Sequence, residues 1–173
     1  MDNIFDTLNG AQYFSSLDLT LGYWQVELDD AHAKSAFTTY NGLFEFVRMP
    51  FGLCNTPATF QRVVQVVLSG LEGQSCFVYL DDILVSSRTF HEQIQHICEV
   101  FARLRAAGLR RKPRKCLFLC DEVPYLGHLI SAQGLQPDPS KTEKVRICST
   151  PHDVTTVHQF IGLTYCWRFV PLF

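Results

Sequence analysis

Apolar and polar positions along the chain alternate in two periods. Tyr13 to Leu19 (YFSSLDL) reads as a strand, followed by a break at Gly22 and a second strand over Trp24 to Leu28. Ser35 to Tyr40 and Leu43 to Met49 flank Asn41-Gly42, a strong hairpin signal because both residues tolerate positive φ. Thr56-Pro57 opens a helix as N-cap and first helical residue, with Phe60, Val63, Val64 and Val67 inward and Gly70 beyond its end. Cys76 to Val85 reads as two apolar strands around a two-residue turn at Asp81-Asp82. Thr89-x-x-Glu92 is a capping box. Behind it Phe90, Ile94, Ile97, Phe101 and Leu104 recur at helical spacing, predicting one apolar stripe that ends at Gly108. Shorter signals predict a helix over residues 2–9, strands near Cys116 to Leu119 and Tyr125 to Ser131, and helices from Asp138-Pro139 and over Val154 to Phe169. This order describes an α+β domain with an antiparallel sheet.

Composition narrows the class. The chain has 173 residues, 47% hydrophobic and 18% charged, which excludes a disordered or collagen-like polymer. It lacks an apolar run of the roughly 18 to 20 residues that a membrane helix needs, and Met1-Asp2-Asn3 does not begin a signal peptide. The seven cysteines are scattered without a C-x-x-C pair, which fits a reducing compartment rather than a disulfide framework or zinc site. The expectation is an intracellular protein, cytoplasmic or nuclear, not secreted and without a membrane partner. A net charge of −2 does not announce a nucleic-acid binder. Yet seven of the 15 Lys and Arg residues lie between Arg103 and Lys115, a local cluster that can touch phosphate or simply solvate a helix end.

Three carboxylates stand out against their surroundings. Asp18 lies in the apolar and small-residue strand FSSLDL, and Asp81 and Asp82 interrupt CFVYLDDILV. An uncompensated carboxylate in such a place costs several kcal/mol unless it is solvated, paired or bound to metal. If the two strands are neighbours, the carboxylates converge, and Mg²⁺ is the natural partner. Two such ions can activate an attacking hydroxyl and stabilise leaving pyrophosphate. The plainer alternative makes Asp81-Asp82 a polar hairpin turn and Asp18 an edge residue.

The words around these residues resemble a known family. AQYFSSLDLTLGYWQVEL, KSAFTTYNGLFEFVRMPFGLCNTPATFQ, VYLDDILVSS, AGLRRKPRKCLF, YLGHLIS and QGLQPDPSKTEKV resemble, in order and spacing, the reverse transcriptase of gypsy-type LTR retrotransposons. The resemblance implies a palm built on a ferredoxin-like antiparallel sheet backed by helices, with a fingers hairpin and a partial thumb. Residues 1–135 would be palm with partial fingers (hairpin about 29–49), and residues 136–173 partial thumb and connection helices. It implies an RNA-directed DNA polymerase using two Mg²⁺ ions, with Mn²⁺ as an alternative, and an RNA or DNA template–primer and deoxynucleoside triphosphates as partners. Asp18, Asp81 and Asp82 would be the catalytic carboxylates and metal ligands, with the backbone carbonyl of Leu19 a further metal contact. Tyr23 would crowd the sugar 2′ position, its alternative being a core tyrosine, and Pro50, Phe51 and Gly52 would line the nucleotide pocket. Asn55, Pro57 and Gln61 would begin the helix that supports it. Lys115 resembles a proton donor to pyrophosphate, and Tyr125, Leu126, Gly127 and His128 resemble the primer grip.

There are departures from the family pattern. A further fingers segment, whose basic side chains bind the triphosphate, would precede Met1. GLTYCWRFVP has one residue fewer than expected, which on a helix rotates the residues beyond Tyr165 by roughly 100°. By this reading the chain alone polymerises poorly. The competing classes are a degenerate or host-adopted fragment that binds nucleic acid or protein without catalysis, and a module that pairs with other Pol regions such as fingers or RNase H.

Overall fold

The computed structural model describes residues 8, 10–19, 22–29 and 32–163. Of the expected helix over residues 2–9 only Leu8, in a turn, is described, and everything from Thr164 onward, including the Tyr165 region, lies outside the described residues.

The centre is a four-stranded antiparallel sheet in the order β4-β5-β1-β6, formed by β1 (Tyr13–Asp18), β4 (Cys76–Tyr79), β5 (Asp82–Ser87) and β6 (Leu117–Cys120). Alternation sends Leu17, Val78, Ile83 and Val85 to one face. There they pack on α1 (Thr56–Val67) through Phe60 and Val64, and on α2 (Phe90–Ala106) through Ile97, Val100 and Leu104. Phe14, Phe77 and Leu84 point to the opposite face and meet Val123, Tyr125 and Ile130. Those residues belong to a second, three-stranded sheet of β7 (Glu122–Tyr125), β8 (His128–Ser131) and β9 (Gly134–Pro137). Both faces of β5 are therefore covered, which explains why Ile83 through Ser87 are all buried and why Ile83-Leu84-Val85 is an unbroken apolar run. A separate hairpin of β2 (Phe37–Thr39) and β3 (Gly42–Phe44) stands off this body with every strand residue exposed. Two further helices, α3 (Pro139–Arg146) and α4 (Val154–Leu163), come after β9. The α+β class, the antiparallel sheet and its helical backing are as expected.

Several elements differ in detail from the sequence expectation, each for a local reason. Trp24 to Leu28 is not a strand. Gly22–Gln25 forms a 3-10 turn, closed by Val26 N–H donating to Tyr23 O at 3.1 Å, and Arg48 donates to Trp24 O and Gln25 O at 3.2 and 3.1 Å. Only an isolated bridge between Glu27 and Arg48 remains of that strand. Both hairpin turns sit one residue earlier than expected. Thr39 pairs with Gly42, so the turn is Tyr40-Asn41, and Thr39 Oγ1 holds it by accepting from Asn41 N–H at 3.2 Å. Tyr79 pairs with Asp82, so the other turn is Leu80-Asp81, and Leu80 takes φ +52°.

Asn55, not Thr56, is the N-cap of α1, and Thr56 is buried with its hydroxyl donating to Pro50 O at 3.3 Å. The capping box of α2 forms as expected, with both Thr89 and Glu92 bonds present. Its buried face, however, runs through Gln93, Ile97, Val100 and Leu104, while Phe90 and Ile94 are exposed. Gln93 wins that place because its amide donates to Ser15 Oγ at 3.0 Å and to Val85 O at 3.1 Å. A polar residue that spans helix and sheet can occupy a core position.

Candidate active site

The three carboxylates meet at one end of the central sheet. In the β1–β5 register Asp18 lies directly opposite Asp82, and Leu19 N–H donates to Asp81 O at 2.9 Å. Directly opposed residues of an antiparallel pair have Cα atoms only about 4.5 to 5.5 Å apart and share a face. Asp18 and Asp82 thus point to the side of the second sheet. Asp81, in the turn, sits against Gly22 and Phe60 instead. Its Oδ1 is buried and has no hydrogen-bond partner. Burial pushes the Asp81 carboxyl above its usual range, and the Asp18 and Asp82 charges push it the same way against a lowering pull from Lys115. Asp82 is raised as well, by burial first and then by Asp18. Among the described residues no three Asp, Glu, His or Cys side chains close into a ready cation cage. Asp18 is instead engaged by Lys115, whose Nζ lies 2.8 Å from Asp18 Oδ2.

On the Asp81 side lie the residues assigned to the nucleotide. Tyr23 is half-buried, with its ring centroid 4.9 Å from that of Phe51 and 5.4 Å, edge-on, from that of Phe60. Its phenol is held above the ordinary range by burial and then by the Asp81 charge. Tyr23 therefore packs on the core within the field of the Asp81 charge, which leaves both sequence alternatives for it open. Pro50 is buried, Phe51 is 54% exposed, and Gly52 turns the chain at φ +92°.

Two residues here do more than their sequence signals imply. A Cβ on Gly22 would lie 2.6 Å from Phe60 Cζ and closer still to Asp81 Oδ1, so only glycine lets that carboxylate approach the backbone. Gln61, read only as part of a supporting helix, grips the carboxylate turn. Its Nε2 donates to Val78 O at 3.1 Å, and its Oε1 accepts from Leu80 N–H. A glutamine whose helix packs under an apolar strand was the available signal.

On the Asp82 side stands the hairpin assigned to the primer. Tyr125 pairs with His128, and Leu126 and Gly127 form the turn with φ +51° and +80°. Positive φ at both central residues matches the right-handed strand twist. Tyr125 is buried beneath the sheet, its hydroxyl lacks a hydrogen-bond partner, and its pKa is raised by burial and then by the Asp82 charge. The basic run is tied to Asp18 by its backbone. Lys112 N–H donates to Asp18 O at 2.8 Å, and Arg111 bridges Leu19. Arg111 also lies 3.5 Å over the Phe101 ring, a cation–π contact that takes it partly out of solvent.

The profile described as "Reverse transcriptase (RNA-dependent DNA polymerase)" matches residues 2–130. The chain belongs to the reverse transcriptase family. It is 40% identical over 173 residues to the Retrovirus-related Pol polyprotein from transposon 297 of Drosophila melanogaster, covering 99% of this chain and 16% of that relative. The corresponding protein from transposon gypsy is 35% identical over 166 residues, covering 95% of this chain and 16% of its own length. The foamy viral protease-reverse transcriptase in complex with RNA/DNA hybrid superposes with a TM-score of 0.85 at 29% identity, over 96% of this chain and 22% of that one. The same viral enzyme bound to double-stranded DNA gives 0.87 at 29% identity, over 95% and 29%. This chain thus spans about a sixth of the polyproteins it matches, as a reverse transcriptase domain of the retrotransposon type. Among the described residues no helix is long and apolar enough to cross a membrane.

Reverse transcriptases are in general divalent-metal dependent, and the residues here fit that requirement. Asp81 Oδ1 is buried without a partner, and crowding and burial make two neighbouring carboxylates reluctant to ionise. A bound cation relieves both conditions.

Proposed function

We propose that this domain catalyses RNA-directed DNA polymerisation, the attack of a primer 3′-hydroxyl on the α-phosphorus of a deoxynucleoside triphosphate with release of pyrophosphate. The observation that carries the reading is the register of β1 on β5, which sets Asp18 opposite Asp82 with Asp81 in the adjoining turn. Asp18 and Asp81 would hold divalent metal, two Mg²⁺ ions or Mn²⁺ in their place, with Asp82 and the Leu19 carbonyl beside them. Such ions supply charge stabilisation and a more acidic attacking hydroxyl.

The chain's own residues would do the rest. The Asp81 charge acts on Tyr23, whose ring packs on Phe51, so the nucleotide sugar would enter there with Tyr23 excluding a 2′-hydroxyl and Pro50 and Gly52 shaping the floor. Asp82 faces Tyr125, so the primer end lies on the Leu126-Gly127 turn, with His128 alongside. Lys115, paired with Asp18 in the free protein, would leave it and donate a proton to departing pyrophosphate. Residues 1–135 would form palm and partial fingers, and residues 136–173 partial thumb. Template–primer, deoxynucleotides and adjoining Pol regions are the partners this implies.

The test is extension of a DNA primer on an RNA template, by the chain alone and by the chain joined to the flanking polymerase segments of the transposon 297 relative. The joined protein should extend the primer with Mg²⁺ and lose that ability with Asp81→Asn, while the chain alone extends weakly. Extension that survives Asp81→Asn, or a joined protein that binds template–primer without extending it, would overturn the assignment.

A further inference from the structure

The basic run presents a physical problem. Arg110, Arg111, Lys112, Arg114 and Lys115 crowd five like charges into six positions, and their repulsion favours a segment spread into solvent. Nevertheless Lys115 reaches Asp18 at 2.8 Å. Three successive residues hold the start of the run against the site. Lys112 N–H donates to Asp18 O at 2.8 Å, Arg111 forms an antiparallel bridge with Leu19, and Arg110 is held by Gln25.

The Gln25 contact is of a different kind from the other two. Its Nε2 donates to Arg110 O at 2.9 Å, and its Oε1 accepts from Arg110 N–H. A carboxamide carries one acceptor and a donor in the geometry of a peptide group, so a single side chain here replaces a strand neighbour. Both bonds go to one residue 85 positions away. Gln25 also ends the 3-10 turn Gly22–Gln25 that carries Tyr23.

We propose that Gln25 is a positioning residue that locks the turn carrying Tyr23 to the start of the basic run, and thereby sets where Lys115 stands relative to Asp18. The consequence for nucleotide and pyrophosphate rests on the polymerase reading above, but the lock itself does not. After Lys112 the chain has only the short turn Pro113–Lys115, closed by Lys115 N–H donating to Lys112 O at 3.0 Å. An error in the register of Arg110 therefore passes directly to Lys115. Glutamine is the fitting residue, because glutamate could only accept and methionine could do neither.

Gln25→Met and Gln25→Glu in the 173-residue chain test this by amide hydrogen exchange and by the nitrogen-15 signal of the Lys115 ammonium group. With Gln25→Met, exchange at Arg110 and Lys112 should quicken by about tenfold or more while Leu84 stays unchanged, as for a local opening. The slowly exchanging Lys115 signal should be lost, and affinity for a primer–template should fall with a shallower salt dependence. Gln25→Glu should keep protection at Arg110 and recover part of the Lys115 signal. Unchanged exchange at Arg110 and Lys112 would overturn the proposal. So would faster exchange that leaves both Lys115 pairing and primer–template binding intact, since Gln25 would then only staple a loop. Neither spectroscopic readout needs turnover. A protein that never extends a primer would sink the polymerase reading, while the Gln25 lock would still stand or fall on exchange and on the Lys115 signal.

Discussion

Gln61 holds the carboxylate turn by two bonds, and replacing it with methionine, of similar length and without polar atoms, should loosen that turn selectively. The change orphans Val78 O, which accepts from Nε2 at 3.1 Å, and Leu80 N–H, which donates to Oε1. Both bonds are only part-buried, so each costs near the low end of the range for an unsatisfied group, about 1 kcal/mol. Leu80 sits at φ +52°, a conformation that costs a non-glycine residue about 1 to 2 kcal/mol and persists only while the surroundings enforce it. With the clamp gone the turn relaxes and returns part of that strain, which caps the net loss near about 2 kcal/mol. For a domain of this size that is a fall of roughly 4 to 8 °C in Tm. Urea unfolding should show a lower midpoint at unchanged slope, and exchange at the Leu80 amide should quicken while Ile97 stays protected. Relaxation moves Asp81, so any catalytic loss should exceed the stability loss. A change in stability below about 0.5 kcal/mol, within the range of ordinary surface substitutions, would refute the idea that Gln61 enforces the turn.

Other expectations rest on the same geometry. Asp82 has a raised pKa in the fold, so the folded state binds more protons than the unfolded chain, and its contribution to stability falls as pH rises from 3.8 through the raised value. Asp82→Asn should remove part of that decline, so melting curves between pH 3 and 8 should flatten, and an unaltered slope would contradict the crowding argument. Tyr23→Val should admit ribonucleotides with little loss of deoxynucleotide use, measured as the ratio of kcat/KM for the two sugars; an unchanged ratio returns Tyr23 to a purely packing role. Neutralising Arg110 and Arg114 together should reduce the slope of log affinity against log salt by about 0.7 to 0.9 for each phosphate that the protein no longer neutralises. Arg111 is left out of that pair because its place over Phe101 would mix packing with charge.

Period and punctuation made most of the elements legible. The capping box at Thr89, the apolar strands around Asp81-Asp82 and the Gly108 stop were all readable because each depends on chemistry within a few residues. The features that escaped depend on partners far along the chain. The one-residue shift of the Leu80-Asp81 turn comes from Gln61, 19 positions away from Leu80, and no local propensity would place a leucine at positive φ. The buried stripe of α2 turned toward Gln93 because Ser15, 78 positions away, supplies its partner. The strand expected at Trp24 gave way to a turn because Gly22 admits Asp81 and Phe60, and because Arg48 caps the carbonyls that a strand would have paired. The second sheet over Phe14 and Leu84 was legible only as short strands, since nothing local says that a strand covers the far face of another sheet. At the site, the three carboxylates stood out in their apolar setting, which left a plain polar turn and edge residue as the alternative. The roles proposed for the carboxylates came from the resemblance, and their supports, Gly22, Gln25 and Gln61, came only from the structure.

In the proposed reaction Asp18 and Asp81 act through divalent metal in nucleotidyl transfer. Single-turnover incorporation of one deoxynucleotide on an RNA template, measured across Mg²⁺ concentration in the joined protein, tests it most directly. The rate should rise to saturation with Mg²⁺. Asp18→Asn and Asp81→Asn should each lower the saturated rate by at least about 100-fold, equal to about 2.7 kcal/mol of transition-state stabilisation, with template–primer affinity nearly unchanged. Incorporation that is independent of divalent metal, or that survives both substitutions within about threefold, roughly 0.6 kcal/mol, would contradict the account.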